Sequence, residues 1–224
     1  MKLFYLLPVV LLSSLLSCAQ PSINKRQTGN IGAPCEGCEA IYESTTPFEK
    51  LTAMINMPGY DEKNKGVKIA INGTVYKADG TPAPDVIIYI YHTDQTGVYP
   101  TKGDEAGWAK RHGYIRGWMK TDKDGFYKFW TMKPAPYPGR KDPAHIHMTI
   151  KEPGKNEYWV DEIVFEDDPL VTQEFRNKCE DRGGTGILVI KPYFKGKEFQ
   201  KSERNIYLGK NIPNYPAAKS TVKK

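Results

Sequence analysis

The 224-residue chain has room for one domain with a substantial core and no room for two large domains. Its 20 glycines and 17 prolines, with 39% hydrophobic residues, favour a turn-rich domain over a helical bundle. The net charge of +6 is mild and no Lys/Arg run is long, so we expect no nucleic-acid partner.

The N-terminus has the pattern of a bacterial export signal that ends in a lipidation site. Met1-Lys2 is a short positive region, and the apolar stretch from Leu3 to Leu16 is too short to span a bilayer comfortably. Ser17-Cys18 then resembles the lipobox, in which the cysteine becomes the lipidated first residue. We predict a signal peptide over 1–17 and a lipid anchor in the cell envelope, facing the periplasm. A plain secretory signal with an incidental cysteine is the alternative.

Three cysteines remain once Cys18 carries a lipid: Cys35, Cys38 and Cys179. Export favours a disulfide, but the sequence does not determine the connectivity, and one thiol is left over. The pairing we favour joins the N-terminal segment to Cys179. A zinc site is disfavoured because the Cys35-x-x-Cys38 pair has no second cysteine pair to complete it.

The chain order predicts a tether and N-terminal segment over 18–45, a globular domain over 46–212 and an irregular tail over 213–224. We expect a short helix over 46–56, with Pro47 in its first turn. Short runs rich in β-branched and aromatic residues, separated by turn residues, then predict strands over 67–76, 86–92, 114–121, 126–132, 145–151, 158–165 and 186–192. This succession predicts an all-β, antiparallel sandwich with long loops, of which residues 93–113 form the longest.

The segment His145-Ile146-His147 lies in one of the predicted strands. Residues two apart in a strand point to the same face, so the two imidazoles should lie side by side. Paired imidazoles are a natural half of a metal site. The alternative is a pair of histidines on a solvated face.

Several motifs, in order along residues 68–192, resemble those of the intradiol ring-cleavage dioxygenases, the ferric-iron enzymes that open catechols between their two hydroxyls. The motifs are Gly73-x-Val75 with Pro82-x-Pro84, the segment Tyr91 to Tyr99, Arg116-Gly117, Thr121-Asp122-x-Asp124-Gly125-x-Tyr127-x-Phe129, Tyr137-Pro138, Pro143-Ala144-His145-Ile146-His147 and Phe165-Glu166-x-Asp168-Pro169-Leu170.

This resemblance implies a Greek-key dioxygenase-like sandwich that binds one non-haem Fe(III) through two tyrosines and two histidines. By motif, these ligands are Tyr99, Tyr137, His145 and His147. The implied partners are a catechol-type small molecule and O2, with a cis,cis-muconate-type diacid as product and no organic cofactor. Tyr137 matches the tyrosine that leaves the metal to accept a substrate proton. A homo-oligomer is left open.

The residues around the implied ligands depart from the family pattern. Asp142 stands where an arginine is common, Glu162 where a glutamine is common, and Gly139 where a tryptophan is common. We expect Arg140 and Glu162 to take catalytic roles beside Tyr137, and Arg116 and Asp142 to line the substrate pocket. An unusual substrate, a slower enzyme or another use of the metal would each account for these changes.

Two other functions compete with this interpretation. A cupin-type metal enzyme would use Gly139, His145, His147 and Glu152, but no histidine follows His147 to complete that site. A lipid-anchored binding module with a relict or structural metal site is the stronger rival, because residues beside the ligands are altered while the ligands remain.

Overall fold

The computed structural model describes residues 30–61, 66–193 and 199–217. The predicted signal peptide over 1–17 and the lipidation site Cys18 lie outside the described residues, as does the end of the predicted tail from 218 onward. Within the described ranges, no helix is long and apolar enough to cross a membrane.

Strands make up most of the regular secondary structure of the described chain, and each predicted strand range contains at least one strand. The strands are β1 Met54–Asn56, β2 Lys68–Tyr76, β3 Ile87–His92, β4 Arg116–Lys120, β5 Phe126–Met132, β6 His145–Lys151, β7 Glu157–Phe165, β8 Ile187–Leu188, β9 Lys191–Pro192, β10 Phe199–Glu203 and β11 Ile206–Tyr207. Two short α-helices are present, α1 Ala109–His112 and α2 Gln173–Lys178, together with 3₁₀ helices at Cys38–Glu43 and Phe48–Lys50.

The strands form two sheets. One has the order β1-β5-β2-β10-β9, with β11 also pairing with β2, and the other has the order β4-β3-β6-β7-β8. The central pairs β2/β5, β3/β4, β3/β6 and β6/β7 are antiparallel, as predicted. Parallel pairs add β1, β10, β11 and β8 toward the edges, so both sheets are mixed and not purely antiparallel.

The hydrophobic core lies between the two sheets, which confirms the sandwich. Alternate residues of β2 and β5 pack against alternate residues of β3 and β6, because side chains two apart share a face. The fully buried members include Ile71 and Phe129 from one sheet and Ile88, Ile90 and Ile146 from the other. A smaller apolar cluster on the outer face of the second sheet packs Ile41 of the N-terminal segment against Tyr89.

Two local predictions are wrong. The helix expected over 46–56 is only the 3₁₀ turn Phe48–Lys50, because residues 54–56 instead pair with β5 as an edge strand. The strand expected over 186–192 is divided, since β8 pairs with β7 in one sheet and β9 pairs with β10 in the other. Both differences come from long-range pairing that local propensity does not encode.

The disulfide joins Cys35 to Cys38, and Cys179 is a free, partly buried thiol. The expected link from the N-terminal segment to Cys179 is therefore wrong. The bridge closes a tight turn directly before the 3₁₀ helix that covers the second sheet. Cys38 itself is buried, and its sulfur accepts a hydrogen bond from Thr149 in β6.

Candidate metal centre

Four polar side chains, those of Tyr99, Tyr137, His145 and His147, converge at one point above the end of β6. The Tyr99 hydroxyl lies 2.8 Å from Nε2 of His147, and the Tyr137 hydroxyl lies 3.1 Å from Nε2 of His145 and 3.4 Å from Nε2 of His147. The two phenol oxygens are also in direct contact. Metal–nitrogen and metal–oxygen bonds of about 2.0–2.1 Å, at angles of roughly 90–110°, place neighbouring ligand atoms about 2.8–3.4 Å apart. The three oxygen–nitrogen distances fall within this range, and the two phenol oxygens lie closer together, as they can when no ion separates them.

The two histidines are fixed by strand geometry and by their own hydrogen bonds. Both lie on the outer face of β6, opposite to the core residue Ile146. The Nδ1 of His145 lies 2.7 Å from the carbonyl oxygen of Pro143, which can only accept. Nδ1 therefore carries the proton, and the lone pair of Nε2 points to the convergence point.

The two tyrosines come from loops that are joined to each other. The hydroxyl of Thr93 donates to the carbonyl of Ala135 at 2.8 Å, and the Ala135 amide donates to the carbonyl of Asp94 at 3.0 Å. Gly97 has a φ of +80°, and a Cβ atom there would lie 2.1 Å from the carbonyl oxygen of Pro136. Only glycine permits this close approach, which places Tyr99 and Tyr137 next to each other.

Asp168 fixes the chain where it enters β6. One of its carboxylate oxygens accepts from the amide of Ala144 at 2.8 Å, and the other accepts from the amide of Leu170 at 2.9 Å. The residue before His145 is thereby tied to the turn that follows β7. The sequence motif contained Asp168, but its local pattern gave no indication of this positioning role.

In the absence of a cation, burial favours the neutral forms of Tyr99, Tyr137 and His145. Burial and the neighbouring Tyr137 raise the pKa of Tyr99 far above its usual range, and burial also raises the pKa of Tyr137. Burial lowers the pKa of His145. A bound multivalent cation would lower the pKa of both phenols, because its charge favours the phenolate form.

Tyr91 and His112 support His147 from the side, a role that the sequence did not indicate. The Tyr91 ring stacks on the His147 ring at 4.3 Å with an interplanar angle of 14°, and His112 stacks on the other face of Tyr91 at 3.7 Å and 7°. The Nδ1 of His112 lies 2.8 Å from the Tyr89 hydroxyl. Alternation along β3 places Tyr89 and Tyr91 on this outer face, and this periodicity was the available signal.

Glu162 lies behind His147. Its Oε1 is 2.6 Å from Nδ1 of His147, whereas Nε2 on the other side of the ring faces the tyrosines. Burial opposes ionisation of this carboxyl, but the hydrogen bond and charge of His147 outweigh it and lower the pKa of Glu162 to about 2. His145, His147 and Glu162 are also close enough to be considered as ligands of one ion. The ring geometry argues against that assignment, because one ion at Nε2 cannot also reach a carboxylate bound to Nδ1.

The other residues predicted to form the pocket are dispersed. Arg140 and Asp142 form an exposed ion pair at 3.1 Å, and the Arg140 guanidinium lies 5.3 Å from the centroid of the Tyr137 ring. Arg116 forms an ion pair with Glu43, a cation–π contact with Trp118 and a hydrogen bond with Tyr89. The substrate-binding roles expected of Arg116 and Asp142 stay predictions.

The carboxylate that a cupin would use is not in the cluster. Glu152 accepts hydrogen bonds from the hydroxyls of Tyr158 at 2.7 Å and Tyr215 at 2.9 Å. It therefore ties the end of the described chain to the second sheet.

Comparisons with known proteins identify relatives of this chain. The family model described as Dioxygenase matches residues 39–196. A hydroxyquinol 1,2-dioxygenase of Nocardioides simplex is 31% identical over 120 residues. The match covers 46% of this chain and 39% of that protein. A catechol 1,2-dioxygenase of Acinetobacter lwoffii is 26% identical over 168 residues, 64% of this chain and 53% of that protein.

The fold is also similar to that of a solved catechol 1,2-dioxygenase of Acinetobacter radioresistens, with a TM-score of 0.56 and 18% identity over 77% of this chain and 61% of that one. The chain spans 39% of the length of the hydroxyquinol 1,2-dioxygenase and 53% of the length of the A. lwoffii catechol 1,2-dioxygenase. The family match, the sandwich and the four convergent side chains all point to one assignment. This chain belongs to the intradiol ring-cleavage dioxygenase family.

Proposed function

We propose that the protein is a non-haem Fe(III) intradiol dioxygenase that cleaves a catechol-type ring with O2 to a cis,cis-muconate-type diacid. The observation that carries this proposal is the convergence of two phenol oxygens and two imidazole nitrogens on one point, with oxygen–nitrogen distances of 2.8, 3.1 and 3.4 Å. The family uses non-haem Fe(III), and its members in the comparisons act on catechols and hydroxyquinol.

The donor set fits a trivalent iron. Imidazole nitrogen suits iron, and hard, highly charged ions favour anionic oxygen. Two phenolates offset most of the charge of the ion, and this compensation matters because Tyr99 and His145 lie in a largely buried setting. When bound, ferric iron would supply the Lewis acidity and redox chemistry that allow O2 to react with the ring.

The residues around the metal would have different roles in the reaction. His145 and His147 hold fixed positions on β6, so they define where the substrate oxygens must lie. Tyr137 stands on a loop whose next residues are exposed, and its oxygen, as a phenolate, is the atom that would accept a proton from the substrate. Arg140 lies beside the Tyr137 ring and would take a catalytic role there, while Asp142, its ion-pair partner, would line the substrate pocket.

The test is metal analysis, visible absorption and oxygen uptake with purified protein over catechol, protocatechuate and hydroxyquinol. We expect about one iron per chain, a ferric-phenolate band in the visible range and one O2 consumed per diacid formed. Tyr99→Phe and Tyr137→Phe should each weaken or shift the band. Tyr76→Phe is the matched control, because Tyr76 stacks on Tyr207 away from the cluster.

A colourless, iron-free protein would refute the proposal. A coloured protein that consumes no oxygen with any catechol would instead support the lipid-anchored binding module with a relict site. The altered residues Asp142 and Glu162 make this second outcome worth testing separately.

We further propose that the chain is exported and anchored in the cell envelope through Cys18, with the domain in the periplasm. The apolar stretch Leu3 to Leu16 and the following Ser17-Cys18 support this location. Metabolic labelling with a fatty-acid analogue should modify the wild type and not Cys18→Ser. Equal labelling of the two would contradict the anchor.

A further inference from the structure

We propose that Glu162 is a positioning residue for the metal centre, whose carboxylate holds His147 and makes this ligand more electron-donating. The consequence is a centre that retains Fe(III) more tightly and favours the ferric over the ferrous state. This inference rests on the metal centre of the proposed function, and it concerns a position where the family commonly has an uncharged glutamine.

The first observation is the direction of the hydrogen bond. Glu162 Oε1 accepts from Nδ1 of His147 at 2.6 Å, which leaves the Nε2 lone pair for the metal. A carboxylate behind a metal-binding imidazole fixes its tautomer and its orientation and raises its basicity. An amide oxygen in the same place would keep the hydrogen bond without the negative charge.

The second observation is that the backbone of β7 is irregular where it presents this carboxylate. Ile146 pairs with Ile163 and Met148 pairs with Val160, so two residues of β7, Asp161 and Glu162, lie opposite His147. This is a β-bulge with the extra residue on β7, a device that redirects side chains. The pairing of Ile146 with Ile163 places Glu162 opposite His147 on the outer face, and the extra residue Asp161 allows Val160 to face the core again.

The bulge is itself held from the neighbouring segment. The amide of Asp161 donates to the carbonyl of Arg182 at 3.0 Å, and the amide of Val164 donates to the carbonyl of Gly186 at 2.9 Å. A Cβ atom at Gly186 would lie 1.9 Å from the carbonyl oxygen of Glu162. This close approach requires glycine at position 186, and it fixes the position of the Glu162 backbone.

The third observation is that Tyr91 and Glu162 constrain different motions of His147. The Tyr91 ring, stacked at 4.3 Å, fixes the plane of the imidazole, and the Glu162 hydrogen bond fixes its rotation within that plane. Among the described residues, Glu162 forms its ion pair with His147. Its side chain is 43% exposed, so solvent screens part of its charge and the expected effect is moderate.

The decisive variant is Glu162→Gln, which preserves size and hydrogen bonding and removes only the charge. We expect its ferric-phenolate band to move to longer wavelength, because a less electron-rich iron is easier to reduce by charge transfer. The ferric/ferrous potential should rise, and the rate at which a chelator removes iron should increase about 10- to 100-fold.

Glu157→Gln is the matched control, since Glu157 is a carboxylate of the same strand that accepts from the Tyr42 hydroxyl and lies away from His147. Its band, potential and chelator release should equal those of the wild type. Glu162→Asp keeps the charge and should give values nearer to the wild type than Glu162→Gln. The unfolding midpoints of the metal-free proteins establish that each variant is folded.

The outcomes separate the two proposals. A wild type that holds no iron overturns the proposed function, and this inference falls with it. An iron-bound wild type whose band, potential and chelator release are all unchanged in Glu162→Gln overturns the inference alone. A change of the same size in Glu157→Gln also overturns it, because the effect would then be that of net charge.

Discussion

Replacing His92 by glutamine should remove a pH dependence from the folding stability of the protein. His92 is 1% exposed at the end of β3. Its Nδ1 donates to the carbonyl of Thr93 at 2.6 Å, and its Nε2 accepts from the hydroxyl of Thr131 at 2.7 Å. Both ring nitrogens are therefore satisfied in the neutral imidazole, and protonation would place an uncompensated charge in the core.

Burial lowers the pKa of His92 from its ordinary value of 6.5 to about 4. The unfolded chain therefore binds a proton at a higher pH than the folded chain does. This contribution to stability is fully present above pH 6.5 and is lost as the pH falls from 6.5 toward 4. The full difference of about 2.5 pKa units corresponds to about 3 kcal/mol, of which about 2 kcal/mol is lost between roughly pH 7 and pH 4.5.

The assay is urea unfolding of metal-free protein, followed by tryptophan fluorescence at these two pH values. Wild type should lose about 2 kcal/mol more than His92→Gln between them. His112, whose pKa is also lowered to about 4 by burial, titrates equally in both proteins and cancels in the difference. Equal losses in wild type and variant would refute the reasoning.

Three further predictions concern the fold. Gly73→Ala should lower the free energy of unfolding by about 3 kcal/mol or more, measured by urea, because its Cβ would lie 1.8 Å from the carbonyl oxygen of Arg204; a fully stable variant would contradict this strand spacing. Reduction of the Cys35–Cys38 bridge, which closes a short loop, should cost about 2 kcal/mol in the same assay with and without reductant, and an unchanged midpoint would speak against it. Phe129→Ala should cost about 3–5 kcal/mol, since the ring is fully buried, and a loss below about 1 kcal/mol would contradict its place in the core.

The central strands were predictable because their signals are local. Aromatic and β-branched runs ended by Asp-Gly and Pro-Gly turns predicted β5 with the correct bounds, and the spacing of His145 and His147 placed both on one face of β6. The proximity of Tyr99 and Tyr137 could not be predicted from local signals, because it depends on two loops that meet only in the folded chain. Family resemblance supplied that part, and Gly97 explains it physically.

The support around the ligands could not be predicted from the sequence. Glu162 lies opposite His147 because of the β6/β7 register, and neither this register nor the bulge at Asp161 is marked by a local sequence pattern. Tyr91 lies in a predicted strand, where alternation assigns its side chain to a face of the sheet but does not identify the ring on which it stacks. The disulfide pairing was also open, because three thiols allow several connections and only the path of the chain selects one.

The two histidines of the metal centre are held rigidly by the sheet, whereas Tyr137 lies on a loop. His145 and His147 are held by β6, by the carbonyl of Pro143 and by Glu162, so their positions change only if the sheet changes. Tyr137 stands on a loop whose following residues are exposed. Under the proposed function, the histidines would therefore hold the metal, and the Tyr137 oxygen, as a phenolate, would be the group able to move and take up a proton from the substrate. Substitutions behind the histidines should then alter metal retention, whereas substitutions in the Tyr137 loop should alter turnover and leave the bound metal in place.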